Sequence, residues 1–403
     1  MFQDTPTYPG DPILSLNEDF QRDPKPGKIN LSIGIYFDDA GRLPVLRAVQ
    51  EAERAMSAGA GEGPRPYLPM AGSHAYREAV QDLVFGPACR AVQERCVATV
   101  QTLGGSGALK VGSDFLKRLF PHSQVWISDP SWENHRVVFE GSGFDVQTYP
   151  YYDTASGGLR FEDMLETLRA VPPRSIVLLH ACCHNPTGVD LTEAQWRQLI
   201  PVLLAREAIA FVDMAYQGFG AGLEEDAFAV RALTEAGVAC LVANSFSKNF
   251  SLYGERCGGL SVVCASADEA QRVLGQLTAT IRSNYSNPPT HGARAISTVL
   301  RDAALRSLWQ SELGEMRERI LAMRRAIFEQ LKKAVGGDDL KRYVDQRGMF
   351  TYTGLSASQV DRLRSDHGVY LLRSGRLCVA GLNQHNVGAA ATAIAAVMQS
   401  STR

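Results

Sequence analysis

An α/β fold, with a mostly parallel sheet in a large domain and a smaller α+β domain after it, is what the sequence predicts. Three observations carry this. The chain has 403 residues, more than one ordinary core accommodates. Through its middle, short apolar runs alternate with amphipathic segments. A long periodic stretch over 306–333, "RSLWQSELGEMRERILAMRRAIFEQLKK", then gives way to shorter, mixed elements.

The alternation starts with "VATVQTL" followed by the helical "ALKVGSDFLKRLF", and continues with "QVWISDP". "SIVLLHAC" then precedes the helical "TEAQWRQLIPVLLARE", and "AIAFVDMAY", "ACLVANSF" and "GGLSVVCA" follow. Near-continuous apolar runs separated by helical patterns make a sheet covered on both faces. This assigns 46–305 to the large domain. The small domain, 306–403, takes the long helix, "GMFTYTGL", a helix near "SASQVDRLRSDHG", "VYLLRSGRLCVAG" and a last helix. Residues 1–45 form an N-terminal arm and part of that small domain.

Composition narrows the function classes. Hydrophobic residues make up 45% of the chain, enough for a sizeable core, and the net charge is −2. Nucleic-acid and membrane-surface proteins need a basic field, so neither partner is expected. Eight scattered cysteines are no disulfide framework and suit a reducing cytoplasm. The N-terminus, "MFQDTPTYPGDPILSL", reads as no signal peptide. The longest apolar stretches fall short of the roughly 20 residues a membrane helix needs.

In an open α/β sheet, ligands bind at the carboxyl ends of the strands. "TLGGSGALK" (102–110) places Gly104, Gly105 and Gly107 between a strand and a helix, where backbone can approach an anion. Alone it is equally a glycine turn, and it matches neither the P-loop nor the dinucleotide fingerprint. Asp213 stands inside the apolar "IAFVDMAYQGF", and a buried carboxylate needs a cation facing it. Tyr216, three residues on, can share its pocket. "HACCHNPTGVD" (180–190) is no zinc site, because adjacent residues on a strand face opposite ways. It reads as a strand ending at Cys183 and a turn at Asn185–Pro186, with the cysteines as packing residues. In "ANSFSKNFSLYGERCGGL", Lys248 follows a strand end beside Ser245, Ser247 and Arg256. Hydroxyl and guanidinium donors suit a phosphate, and a lysine held among cations becomes a nucleophile. A glycine loop, two serines, an arginine, a buried acid and a reactive lysine are the parts that pyridoxal phosphate needs.

These residues resemble a known family. "NLSIGIY", "QTLGGSGALKVG", "SDPSWENH", "CCHNPTGVD", "DMAYQGF", "NSFSKNFSLYGERCGGL", "IRSNYSNPP" and "SGRLCVAGLN" occur in the order and spacing of the class I (fold type I) aspartate and aromatic-amino-acid aminotransferases. The resemblance covers essentially the whole chain. It implies a pyridoxal-phosphate enzyme that passes an amino group from an amino acid to 2-oxoglutarate through pyridoxamine phosphate, with ping-pong kinetics. Lys248 then matches the lysine that holds the cofactor and moves the proton, and Asp213 the acid on its ring nitrogen. Tyr216 and Asn185 match the groups on its phenolic oxygen, and Trp132 the indole on its ring face. Gly105, Ser106, Ser245, Ser247 and Arg256 match the phosphate cradle. Tyr67 resembles the tyrosine that reaches the phosphate of a partner subunit, which implies a homodimer with sites at the interface. Arg376 resembles the clamp on the substrate α-carboxylate, with Asn185 and the Gly34 backbone. Arg282 matches the arginine that takes a distal carboxylate from the neighbouring subunit. His135 and His180 stand behind Asp213, either tuning it or simply packing.

The apolar stretch Ile35, Tyr36, Phe37 and Leu43 resembles the aromatic branch, as do Ser106 and "YLPM". Asn287 is similar to the aspartate branch, and Pro66 matches neither. The expectation is an enzyme for aromatic amino acids that also takes aspartate. A mainly aspartate-specific enzyme is the alternative, and a pyridoxal-phosphate lyase or decarboxylase a more distant one. A phosphate-binding module without catalysis leaves Asp213 and Lys248 unexplained.

Overall fold

The apolar runs become strands whose polar ends meet at one edge of a sheet. In the computed structural model, residues 1–8, 10–60, 66–336 and 338–400 are described. The chain divides into two compact units. The larger holds residues 44–153 and 158–318, and the smaller holds 1–43, 154–157 and 319–403. The division falls at 318/319, inside the long helix Ala303–Val335, which spans the stretch read as periodic.

Strand β1 (Ile29–Asn30) lies in the smaller unit. The larger unit carries β2 (Val97–Leu103), β3 (Val125–Asp129), β4 (Val146–Pro150), β5 (Ile176–His180), β6 (Ile209–Met214), β7 (Cys240–Ser245) and β8 (Cys257–Val263). β9 (Phe350–Tyr352), β10 (Val369–Tyr370) and β11 (Arg376–Cys378) return to the smaller unit. The seven-stranded sheet has the order β2-β8-β7-β6-β5-β3-β4. β7, β6, β5, β3 and β4 run parallel, and β6 and β7 are buried at every position. That burial is why their sequences are continuous apolar runs rather than alternating ones.

β8 runs against the rest, paired with β2 and β7. Only residues 246–256 join β7 to β8, too few for a helical crossover, so the chain turns back on itself. The consequence is local and functional. Leu103 and Ser245, the last residues of β2 and β7, lie opposite Cys257 and Gly258 at the start of β8. Glycine pairs make this closeness possible. A Cβ on Gly258 would stand 2.4 Å from the Gly104 carbonyl carbon and 2.8 Å from the Asn244 oxygen. One on Gly112, in the helix Gly104–Leu119, would stand 2.5 Å from the Phe211 ring, so that helix lies close on the sheet.

Two sequence expectations shift by a few residues. The glycine stretch is no separate loop but the first turn of the helix Gly104–Leu119, with Gly104 at φ +66°. β5 ends at His180 rather than Cys183, because the Asp190 carboxylate takes the N–H groups of Cys183 and His184 at 2.7 and 2.8 Å. The Asn185–Pro186 peptide is cis.

In the smaller unit, β1 pairs with β10 in parallel and β9 with β11 antiparallel. The N-terminal segment is thus tied to the C-terminal one within a single unit. The helix Ala357–His367 begins with a capping box between Ser356 and Gln359 and ends at Gly368 in the left-handed region. Among the described residues no helix is long and apolar enough to cross a membrane, and all eight cysteines are free.

Gly258→Ala should overpack the β2–β8–β7 junction and cost about 1–3 kcal/mol. A clear drop in the thermal midpoint is the expected result, and an unchanged melt would mean that the strands can separate at no cost.

Candidate active site

The carboxyl ends of β6 and β7 and the first turn after β2 supply the polar residues. Asp213, one residue from the end of β6, is buried and lies in register with His180 on β5. Its Oδ2 is 2.9 Å from His135 Nε2, and His135 Nδ1 is 2.9 Å from Ser131 Oγ. Burial pushes the Asp213 carboxyl up. The His135 hydrogen bond, with Lys248 acting in the same direction, outweighs it, so its pKa lies below the ordinary value. The buried carboxylate therefore has an imidazole hydrogen-bonded behind it and a lysine beyond the next strand.

Two more histidines lie behind this pair. His180 lies 5.2 Å from His135 and 4.2 Å from His184, ring centre to ring centre. His184 stacks on Tyr151 at 4.0 Å, with its ring nitrogens at 2.9 Å from Ser128 Oγ and 2.8 Å from Thr187 Oγ1. Burial, with the neighbouring His135, holds His180 down at about 3, and burial holds His184 well below its usual value. Both rings are therefore neutral. The two cysteines between them lie with Asp226 instead, whose carboxylate accepts from the Gly218, Gly220 and Ala221 N–H groups. The His-x-Cys-Cys-His stretch thus divides between two clusters.

Lys248 stands three residues past the end of β7, with its Nζ 4.9 Å from the centre of the Tyr216 ring. Tyr216 Oη is 3.5 Å from Asn185 Nδ2, and both residues are buried. Around the same strand ends, Ser245 and Ser247 are buried, and Arg256 Nη1 reaches Ser247 Oγ at 3.5 Å. Arg256 is held at φ +53°, with Nη1 donating to the Tyr253 carbonyl at 2.9 Å. A Cβ on Gly104 would stand 2.8 Å from the Arg256 guanidinium, and one on Gly105 would stand 3.1 Å from Ser245 Cβ. The first helical turn, two hydroxyls and a guanidinium therefore converge where side chains are missing. The positive end of the helix Gly104–Leu119 lies at the same point, with the Gly104 N–H donating to the Arg256 carbonyl at 2.9 Å. This donor set fits a phosphate dianion, and Asp213 fits a protonated ring nitrogen.

Trp132 precedes the helix Glu133–Glu140 and meets His135 edge-on, 5.2 Å between ring centres. Two expected residues stand at the surface. Tyr67 is 90% exposed, and Arg282, in the last turn of the helix Ala267–Asn284, is exposed with its guanidinium on Ser286 Oγ. In the smaller unit, Arg376 is buried on β11 and donates to the Ser32 carbonyl at 2.8 Å. Its guanidinium lies 4.3 Å over the Phe350 ring, against which Gly34 also packs. Tyr36 is 4% exposed and lies under Arg319, while Ile35 and Phe37 are half-buried. Ser131, Ser128, His184 and Phe350 were not among the expected residues. Ser131 was the one with a local signal, four residues ahead of His135 at the start of a helix.

Known proteins resemble this chain along its length. The family model for aminotransferase class I and II matches residues 26–394. The aromatic-amino-acid aminotransferase of Escherichia coli is 58% identical over 398 residues, covering 99% of this chain and 100% of that protein. The aspartate aminotransferase of Pseudomonas aeruginosa is 53% identical with the same coverage. The crystal structure of an aromatic-amino-acid aminotransferase from Burkholderia pseudomallei, covalently bound to pyridoxal phosphate, superposes with a TM-score of 0.95 at 52% identity, covering 98% of this chain and 99% of that one.

The neutral histidines set a pH dependence. His180 titrates near 6.5 when unfolded and near 3 when folded, so between those values the unfolded chain binds more protons. Stability is full above that window and falls as pH drops through it, by up to about 1.4 kcal/mol per pH unit for this one ring. Denaturant unfolding between pH 7.5 and pH 5 should show the loss, and His180→Gln should flatten it. Equal slopes for the two proteins would mean that His180 takes up its proton while folded.

Proposed function

The chain belongs to the class I and II aminotransferases, and on that premise we propose that it moves the amino group of aromatic amino acids, tyrosine and phenylalanine, to 2-oxoglutarate, with aspartate as a further donor. The observation that carries the reading is the strand-end group itself, in which Lys248, a buried ionised Asp213 and a glycine-lined anion cradle meet on one sheet.

The residues fit pyridoxal phosphate. When bound, that cofactor supplies an electron sink for the pair left at the substrate Cα. Gly105, Ser106, Ser245, Ser247 and Arg256 hold its phosphate, with Tyr67 reaching in from a partner subunit. Asp213 keeps its ring nitrogen protonated, and His135, fixed by Ser131, keeps Asp213 ionised. Tyr216 and Asn185 would bind its phenolic oxygen, and Trp132 would stack against its ring. Lys248 anchors it covalently. The free Lys248 amine would serve as the general base that takes the Cα proton and, as its conjugate acid, would donate that proton to the cofactor rather than back to Cα. Arg376, with Asn185 and the Gly34 backbone, clamps the α-carboxylate that all substrates share. Burial of Arg376 among apolar neighbours suits it to a bidentate carboxylate.

Arg282 takes the distal carboxylate of aspartate or glutamate from the neighbouring subunit, which makes the enzyme a homodimer. The exposure of Tyr67 and Arg282 in the single chain supports that assignment. Ile35 and Phe37 bury an aromatic side chain. Eight free thiols suit the cytoplasm. A mainly aspartate-specific enzyme is the second reading, favoured by Asn287 and by the Pseudomonas aeruginosa relative.

The purified protein should absorb in the visible, and phenylalanine and aspartate should each bleach the band. Lys248→Ala should lose the band and about 10⁴-fold or more in transamination rate. Normal turnover by that variant would remove Lys248 from the chemistry. Arg282→Leu should raise KM for aspartate at least tenfold more than for phenylalanine, as expected when a charge-assisted carboxylate contact is lost. Equal losses on both substrates would sink the assignment of Arg282.

A further inference from the structure

The proposed mechanism leaves one buried arginine without a role. Arg324, on the long helix Ala303–Val335, is 1% exposed. A guanidinium in that position is costly unless its donors are bonded, and both terminal nitrogens of Arg324 are. Nη1 donates to the Tyr343 carbonyl at 3.1 Å and to Thr351 Oγ1 at 2.6 Å. Nη2 donates to the Gly348 carbonyl at 2.8 Å and to the Phe350 carbonyl. All four acceptors lie between residues 343 and 351, on the approach to β9 and within it. The planar fork holds that segment at four points, which a lysine ammonium cannot reproduce.

What β9 supports is the carboxylate clamp. β9 and β11 form a sheet of their own, with Tyr352 opposite Arg376, Thr351 opposite Leu377 and Phe350 opposite Cys378. Two of the four acceptors, the Phe350 carbonyl and the Thr351 hydroxyl, belong to residues in this pairing. The Phe350 ring lies under the Arg376 guanidinium at 4.3 Å. The same ring stands 2.9 Å from where a Cβ on Gly34 would be, so only glycine lets that backbone lie against it. One aromatic ring therefore backs both parts assigned to the α-carboxylate, the guanidinium and the Gly34 backbone. We propose that Arg324 is a positioning residue for the α-carboxylate site, acting through β9 and the Phe350 ring to hold Arg376 and Gly34 in place. This rests on the reading of Arg376 as the carboxylate clamp.

The test compares Arg324→Lys, Phe350→Leu and Arg376→Lys with the parent holoenzyme. Phe350→Leu leaves the acceptors of Arg324 intact and keeps the test open where Arg324→Lys does not fold. The readouts are KM and kcat for phenylalanine, aspartate and 2-oxoglutarate, cofactor content, and the dissociation constant of 3-phenylpropanoate by calorimetry. That ligand carries a carboxylate and no amine. Both Arg324→Lys and Phe350→Leu should raise every KM and the 3-phenylpropanoate constant together, by about tenfold, the scale of losing a desolvated cation–π contact. Cofactor content should hold, and kcat should change less than KM. Weakened binding in Arg376→Lys with parental binding in the other two would overturn the proposal and leave the clamp standing. Parental binding in Arg376→Lys would remove the clamp and the proposal with it. Loss of cofactor and kcat without a selective loss of carboxylate binding would make Arg324 a folding residue only, which also overturns the proposal.

Discussion

A carboxylate buried near the end of a fully covered parallel strand has to remain charged, and much of the larger unit is arranged around that requirement. Asp213 cannot rely on water. It is kept ionised by the hydrogen bond to His135, whose far nitrogen meets Ser131, and by Lys248, beyond the next strand. His180 and His184 fill the space behind them as neutral rings, because burial strips a charged imidazole there of its water. His184 is fixed in turn by stacking on Tyr151 and by two hydroxyl partners. The electrostatics of the site are thus set by packing, before any ligand arrives.

The second constraint is steric. An anion cradle needs backbone from β2, β7 and β8 at one point, and side chains there would keep the strands apart. The reversal of β8 brings the ends of β2 and β7 to its own first residues, and Gly104, Gly105 and Gly258 clear the space. Arg256 then packs over Gly104, where any Cβ would displace it. Glycine acts here less through backbone freedom than through the absence of an atom, with Gly104 alone also needing its positive φ.

Much of this was legible in the sequence because burial leaves a clear mark. β5, β6 and β7 are buried on both faces, so their apolar runs stood out, and so did Asp213 as the polar exception within one of them. The direction of β8 was not legible, because a strand reads the same either way. It follows instead from the short connection 246–256. β5 ended earlier than its apolar run because Asp190, a side chain six and seven residues on, captures the next amides. Arg324 and Phe350 left no signal at all. Their importance lies in pairing across β9 and β11 and in four acceptors spread over nine residues, and no local pattern of residue types encodes that.

Burial also separates what the proposed enzyme holds constant from what it varies. Every amino acid presents the same α-carboxylate, and Arg376 is buried and backed by an aromatic ring. Side chains differ, and the arginine proposed for acidic ones is exposed at a helix end with a serine hydroxyl as its partner. An exposed hydrogen bond of that kind contributes about 1 kcal/mol or less, so leaving it costs little. On the proposed reading, Arg282 gives up little when it turns to a carboxylate. In the same reading, a buried clamp on the common group and an exposed one on the variable group would be the physical basis for accepting both kinds of substrate.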